Sequence, residues 1–157
     1  METVRDGANV LFPPPLIYLG GLALGIFAGR LLGLPSLGLH PAVRDLPGGI
    51  LAVLGQVVSF TGAGTFRRRG TAVLPFKPAS CLVTSGIYRW TRNPMYVGMA
   101  LTYAGVAIFV NSLAALVLLP VVLAIIQTQV IAREEAYLER AFGHDYAGYK
   151  KRVRRWL

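Results

Sequence analysis

Charge is scarce in this 157-residue chain: 15% of residues are Asp, Glu, Lys or Arg, against about a quarter in a soluble domain. Cysteine is nearly absent as well. Cys81 stands alone, which excludes an internal disulfide and reads as ordinary packing. No set of His, Cys and Asp has metal-ligand spacing, and no Gly-rich loop is built to cradle phosphate. No aromatic-basic motif suited to nucleobases occurs, so the formal net charge of +9 does not point to nucleic acid. The first apolar run exceeds a signal-like length and has no Ala-x-Ala-like end, which argues against a cleaved leader.

What the chain has in quantity is hydrocarbon. Hydrophobic residues make up 54%, and mean hydropathy is +0.54. Ala8–Ala28, Leu46–Phe66 and Asn93–Ala132 carry no charge. A helix needs about 20 apolar residues to cross a hydrocarbon core about 30 Å thick. The first two stretches fit one span each. The third fits two, turning at Asn111-Ser112, as a hairpin of Tyr96–Val110 and Leu113–Ala132. The pattern predicts a single all-α integral membrane domain over residues 1–157. It has about four transmembrane helices, the last two a helical hairpin, plus cytoplasmic interfacial helices. Residues 1–66 hold the two N-terminal spans, and 67–157 hold a loop, the hairpin and a C-terminal cytoplasmic segment.

The placement of charge gives an orientation. Arg67, Arg68, Arg69, Lys77, Arg89 and Arg92 share one loop with no acid, and more basic residues follow Ala132. The connection between the first two spans has only Arg30, Arg44 and Asp45. Basic loops stay in the cytoplasm. Four spans put the N-terminus, the Arg67–Arg92 loop and the C-terminus together there, where the basic residues also attract anionic membrane lipid.

Gly21, Gly25, Gly29 and Gly33 recur every fourth residue, and Gly48, Ala52, Gly55, Ser59 and Gly62 repeat the idea. Residues at that spacing share one helix face, and small stripes let helices approach closely in lipid. Two readings stay open: packing between spans one and two, or a homodimer face. Pro120 is expected to bend the fourth span and free a carbonyl.

The cytoplasmic segments carry the polar chemistry. Pro75, Phe76, Lys77 and Pro78 suit the headgroup layer. Thr84-Ser85-Gly86 can open a short helix, with Tyr88, Arg89 and Trp90 at the interface. Asn93 reads as an N-cap and Pro94 as the first residue of the third helix. That helix mouth is an anion site, and Arg92 beside it can hold a carboxylate with two parallel hydrogen bonds. The plainer reading is a cap plus an arginine reaching lipid phosphate. The fourth helix meets Glu134 and Glu135 and should run to Phe142, with Gly143 as a left-handed stop. Helical neighbours point about 100° apart, so the two glutamates do not share one task. One faces the basic loop, in the plainer case as a salt bridge to Arg89 or Arg92. Asp145 can cap a last helix that puts Tyr146, Tyr149 and Val153 on one face, either lying on the membrane or folded over a site as a lid.

Taken together, Gly86-Ile87-Tyr88-Arg89, Arg92-Asn93-Pro94-x-Tyr96-x-Gly98, Glu134-Glu135 and Phe142-Gly143-x-x-Tyr146-x-x-Tyr149 resemble the isoprenylcysteine carboxyl methyltransferase family, which is grouped with membrane phospholipid methyltransferases. The resemblance covers residues 65–157, with the motifs in the family's order. It implies S-adenosyl-L-methionine as methyl donor, held at the cytoplasmic membrane face between the last two spans and the C-terminal segment. Carried onto this chain, it implies cofactor binding by Arg92, Asn93, Pro94, Met95, Tyr96, Gly98, Glu134 and Glu135, with Tyr88, Tyr146 and Tyr149 nearby. It implies catalytic roles for Arg92 and Glu135. The family often has His where this chain has Asn93, and Asn does not act as a base near neutral pH, although it still hydrogen-bonds.

Elementary chemistry agrees with this donor. Arg92 and the helix mouth suit its carboxylate, a glutamate suits its ammonium or ribose hydroxyls, and aromatic faces attract a sulfonium. Methyl transfer needs alignment rather than a metal. A site open sideways to lipid suits a lipophilic or small acceptor, with a carboxylate, amine or thiol as nucleophile. The short, prokaryotic-looking chain points to a bacterial inner membrane rather than to a prenylated-protein substrate. Two other classes compete: a membrane reductase of the related sterol type using NADPH, and a non-catalytic scaffold working through its glycine stripes.

Overall fold

The computed structural model describes residues 8–73 and 77–157. Pro75 and Phe76, assigned above to the headgroup layer, lie outside the described residues. The elements are α1 (Pro14–Leu31), α2 (Pro41–Arg68), a 3₁₀ turn (Gly86–Arg89), α3 (Pro94–Phe109), α4 (Leu113–Ile125), a π turn (Ile126–Ile131) and α5 (Ala132–Arg152). No strand occurs among the described residues. Three helical runs are long and apolar enough to cross a membrane: α1, α2 and the continuous Leu113–Arg152 run of 40 residues. The fourth, α3, is apolar but has 16 residues. The protein is an all-α integral membrane protein.

The helices start where their sequences say. Pro14, Pro41 and Pro94 occupy first turns, where a missing N–H costs nothing and φ is already set. His40 Nδ1 accepts from the Ala42 N–H at 3.3 Å, and Ser112 Oγ from the Ala115 N–H at 3.2 Å. Asn111 takes φ +59 just before Ser112, so the hairpin turns where expected. Pro120 lies inside α4, and the irregular stretch is the π turn further along.

The glycine stripes pack within the chain, but with other partners than spans one and two. A Cβ on Gly25 would lie 2.6 Å from the Ala115 backbone, and one on Gly21 would meet Val122, so α1 lies along α4. A Cβ on Gly55 would lie 2.5 Å from the Gly98 carbonyl, and one on Gly48 2.8 Å from the Phe109 amide, so α2 lies along α3. The expected pairing of spans one and two is overturned. The physical reason is that α3 brings small residues of its own, Gly98 and Gly105, to meet the α2 stripe, while Ala114 and Ala115 of α4 meet that of α1. Two buried tyrosines tie the pairs together. The Tyr18 hydroxyl donates to the Tyr96 carbonyl at 3.0 Å, and the Tyr103 hydroxyl to the Ala115 carbonyl at 2.9 Å.

Large apolar side chains, including Leu19, Phe27, Val57, Phe60 and Val117, are exposed. That is the surface a bilayer covers, where helix packing rests on close fit rather than hydrophobic burial. The α2–α3 and α1–α4 pairs are antiparallel, since Gly62 faces Met95 while Gly48 faces Phe109, and Gly21 faces Val122 while Gly29 faces Ala114. Arg133 Nη1 also donates to the Asn9 carbonyl at 3.0 Å. The start of α1, the end of α2, the start of α3 and α5 therefore gather at one end of the bundle.

Candidate functional site

At that end a cavity of about 830 Å³, counting its open mouth, lies between the 3₁₀ turn, the start of α3 and both halves of α5. Tyr88, Arg92, Asn93, Met95, Tyr96, Glu134, Glu135, Tyr146 and Tyr149 line it, so the structure brings together residues picked from three separate segments. It does not bring Pro94 or Gly98. Pro94 opens α3 with its ring packed toward Gly62, and Gly98 is turned to α2, where a Cβ would meet Ser59. Both are packing residues in this fold.

Charge in the cavity centres on Glu135, which is 7% exposed. Arg92 Nη1 lies 3.0 Å from its Oε1. Arg155 grips the same carboxylate with two bonds, Nε to Oε1 at 3.0 Å and Nη2 to Oε2 at 2.7 Å. The salt bridge anticipated between a glutamate and Arg92 exists, and Glu135 makes it. An ionised group this buried is tolerable only when paired, and here two guanidiniums answer one carboxylate.

Glu134 is placed differently. Its Oε1 accepts from the Tyr96 hydroxyl at 2.7 Å, and it has no cationic partner among the described salt bridges. Burial pushes its carboxyl up to about 7; the Tyr96 hydrogen bond opposes this and the neighbouring Glu135 charge adds to it. Of the adjacent acids, Glu135 is the one answered by cations, and Glu134 has only the Tyr96 hydroxyl.

Asn93 sits at the N-cap position of α3, but its side chain makes no cap bond. Nδ2 instead donates to the Arg155 carbonyl at 2.9 Å. Thr91 Oγ1 donates to the same carbonyl at 3.2 Å, and the Arg92 N–H to the Arg154 carbonyl at 2.9 Å. The reason is that the C-terminal residues pass over the mouth of α3 and offer acceptors there. Gly143 is the expected left-handed stop: at φ 46, ψ −114 it breaks α5, and a second helical segment follows to Arg152. The kink lays Tyr146 and Tyr149, 2% and 4% exposed, into the cavity. They therefore do not form a membrane-lying face with Val153, which is already extended. Tyr88 is likewise turned inward at 4% exposure rather than held at the interface.

The walls offer aromatic faces and unanswered donors. Phe66 and Tyr88 have ring centroids 5.1 Å apart, and Tyr146 and Tyr149 6.2 Å apart. Burial pushes the Tyr146 phenol up to about 12 and the Tyr149 phenol higher, so both stay neutral. Arg92 Nε and the Tyr88 hydroxyl are buried with no hydrogen-bond partner among the described residues. Such groups cost energy unless something binds them.

Sequence reasoning missed Arg155, Thr91 and Tyr137. Arg155 was one more cation in a basic tail. Thr91 Oγ1 also accepts from the Asn93 N–H at 3.1 Å. The Tyr137 hydroxyl accepts from the Ala79 N–H at 2.8 Å and so fixes a cavity wall. The available signal was spacing: Tyr137 lies one helical turn from Glu134.

Residues 43–145 match the phospholipid methyltransferase family. Over 72 residues the chain is 39% identical to protein-S-isoprenylcysteine O-methyltransferase of Schizosaccharomyces pombe, covering 46% of this chain and 30% of that protein. Over 68 residues it is 47% identical to an uncharacterized protein of Haemophilus influenzae, covering 43% of this chain and 82% of the other. Over 105 residues it is 28% identical to protein-S-isoprenylcysteine O-methyltransferase B of Arabidopsis thaliana, covering 66% of this chain and 53% of that protein. The chain thus spans about half or less of the length of the two similar proteins named as methyltransferases.

Proposed function

The chain belongs to the phospholipid methyltransferase family, and from that premise we propose that it is an S-adenosyl-L-methionine-dependent methyltransferase acting on a lipophilic or small acceptor. The observation that carries the reading is the meeting of Arg92, Glu134 and a wall of tyrosines in one cavity at a bundle end. The donor set fits the cofactor. Arg92 Nε and the Tyr88 hydroxyl are unused donors suited to its carboxylate. Glu134 is an acceptor without a cation, suited to its ammonium or a ribose hydroxyl. The faces of Tyr88, Tyr146 and Tyr149 suit a positively charged sulfur.

When bound, the cofactor supplies a methyl group on sulfonium sulfur. The chain's own work is positioning. Glu135 fixes Arg92 from one side while Arg155 holds Glu135 from the other, so the Arg92 fork is aimed before a ligand arrives. Tyr96 holds the Glu134 carboxylate at the cavity wall. The C-terminal residues cover the mouth of α3 and restrict water. Asn93 takes no proton and serves to hold that cover. Glu135 is therefore a positioning residue, while Arg92 and Glu134 face the ligand.

A second, mostly apolar groove runs between α1, α2 and α3 and shares Met95 and Val73 with the cavity. It supports an acceptor with an apolar tail reaching the site from the bilayer. We place this end at the cytoplasmic face of a bacterial inner membrane, because the Arg67–Arg92 loop and the C-terminus concentrate basic charge there. The test is titration of the purified protein with S-adenosylhomocysteine and NADPH, followed by incubation with labelled methyl donor and native lipids. We expect S-adenosylhomocysteine binding and label in the lipid fraction. Binding of NADPH alone would replace this reading with a reductase.

A further inference from the structure

The opposite end of the bundle holds a second cavity of about 880 Å³, counting its mouth, where the end of α1 and the start of α2 meet the α3–α4 turn. Arg30, Arg44, Asn111 and Ser112 line it, with Leu34 and Leu113 among its apolar walls. Three features make it unlike an ordinary helix end. This end should be poor in basic residues, yet both arginines of the α1–α2 connection line one cavity. Arg44 stands in the first turn of α2, where a helix dipole disfavours a cation. Its Nε faces Asp45 Oδ1 at 3.3 Å without hydrogen-bond alignment, and Asp45 is half exposed. Finally, Asn111 Oδ1 is buried without a hydrogen-bond partner among the described residues. The arginines are donors and Asn111 Oδ1 is an acceptor.

A ligand that answers both needs an anionic group for the arginines and an N–H or O–H for Asn111 Oδ1. The apolar walls and the position at a membrane edge add hydrocarbon to that description. We propose that this cavity is a headgroup site for a phospholipid of the leaflet opposite the Glu134–Glu135 cavity. The headgroup pairs a phosphate with an amine or hydroxyl donor. The phosphate sits with Arg30 and Arg44, the donor bonds Asn111 Oδ1, and the acyl chains follow the walls into the bilayer. A headgroup that lacks an N–H or O–H leaves Asn111 unanswered. The proposal needs only the membrane fold and is independent of the chemistry at the other end.

The test uses the full chain in phosphatidylcholine nanodiscs doped with phosphatidylethanolamine, with co-purifying lipid counted by native mass spectrometry. Wild type should retain phosphatidylethanolamine over phosphatidylcholine on the order of tenfold, the difference one charge-assisted hydrogen bond makes. The double variant Arg30→Gln, Arg44→Gln should lose retention of both lipids. Asn111→Gly tolerates the φ of 59 and should equalise the two lipids while keeping total retention, so the idea stays testable if the double variant does not fold. Equal retention of the two lipids by wild type, or an unchanged preference in Asn111→Gly, would overturn it. In lipid-free detergent, inorganic phosphate should protect against thermal unfolding no better than chloride. Protection matching that of the lipid would assign the cavity to a free ion instead.

Discussion

The Arg92 guanidinium lies 3.0 Å from the Glu135 carboxylate, with each side chain 9% exposed, and the two come from the segment just before α3 and the start of α5. The pair clamps the helical hairpin shut at the site end. A second clamp on the same carboxylate comes from Arg155 near the chain's C-terminal end. One acid thereby ties together three parts of the sequence that hydropathy alone keeps apart.

Arg92→Ala keeps Glu135 paired with Arg155 but leaves the ligand's carboxylate without its cation. Arg92→Ala should therefore weaken S-adenosylhomocysteine binding by about 2–5 kcal/mol. Arg155→Ala should cost less, about 1 kcal/mol, because Arg155 is more exposed and Glu135 keeps Arg92. Calorimetry on both variants checks the order; equal losses would mean that the two clamps are equivalent.

Glu134 predicts a pH dependence. Its folded-state carboxyl lies near 7, above the ordinary carboxylate value of 4.5. For stability, its contribution is complete below the ordinary value and is lost as pH rises through about 7. For a cationic ligand the sign reverses, because the ionised form binds it. Affinity should climb from pH 6 to pH 8 by up to about tenfold per unit below the midpoint. Glu134→Gln should flatten the profile. Tyr96→Phe removes the hydrogen bond that favours the charge and should move the midpoint upward. Titrations with S-adenosylhomocysteine across this range decide it, and a profile that survives Glu134→Gln would assign the titration to another group.

The α2–α3 contact predicts a contrast among glycines. A Cβ on Gly98 would press on the Gly55 carbonyl at 2.5 Å and the Ser59 amide at 2.6 Å, which are backbone atoms that do not yield. Gly98→Ala should destabilise the fold by about 1–3 kcal/mol. Gly49→Ala and Gly64→Ala meet nothing within 4 Å and should be neutral or slightly stabilising by helix propensity. Thermal unfolding in detergent measures all three.

The last five residues predict a coupled loss. Deleting Val153–Leu157 removes Arg155, the carbonyl acceptors for Thr91, Arg92 and Asn93, and the Trp156 Nε1–Gln127 hydrogen bond of 2.9 Å. Hydrogen exchange should quicken over residues 91–97, and cofactor affinity should fall. Unchanged exchange with full activity would make the segment a passive anchor.

Much of this fold was legible from one dimension. Hydropathy sets where a chain crosses a bilayer, and Pro14, Pro41 and Pro94 mark helix starts by backbone chemistry alone, so the spans, the hairpin turn at Asn111 and the single site end follow from local rules. The candidate cavity was legible in membership: Arg92 and Glu134 stood out as charges beside so much hydrocarbon, and Tyr96, Tyr146 and Tyr149 through the motifs that resemble the methyltransferase family. What tertiary structure alone decided is who meets whom. The α1 and α2 stripes are equally able to pack on each other, and only the small residues that α3 and α4 bring alongside them settle the pairing. Glu134 and Glu135 are chemically identical, and their split into one carboxylate answered by cations and one with only the Tyr96 hydroxyl comes from the side of α5 on which Arg92 and Arg155 arrive. Asn93 is a good cap by type, yet its amide goes to a carbonyl more than sixty residues away in sequence, a partner no local rule names.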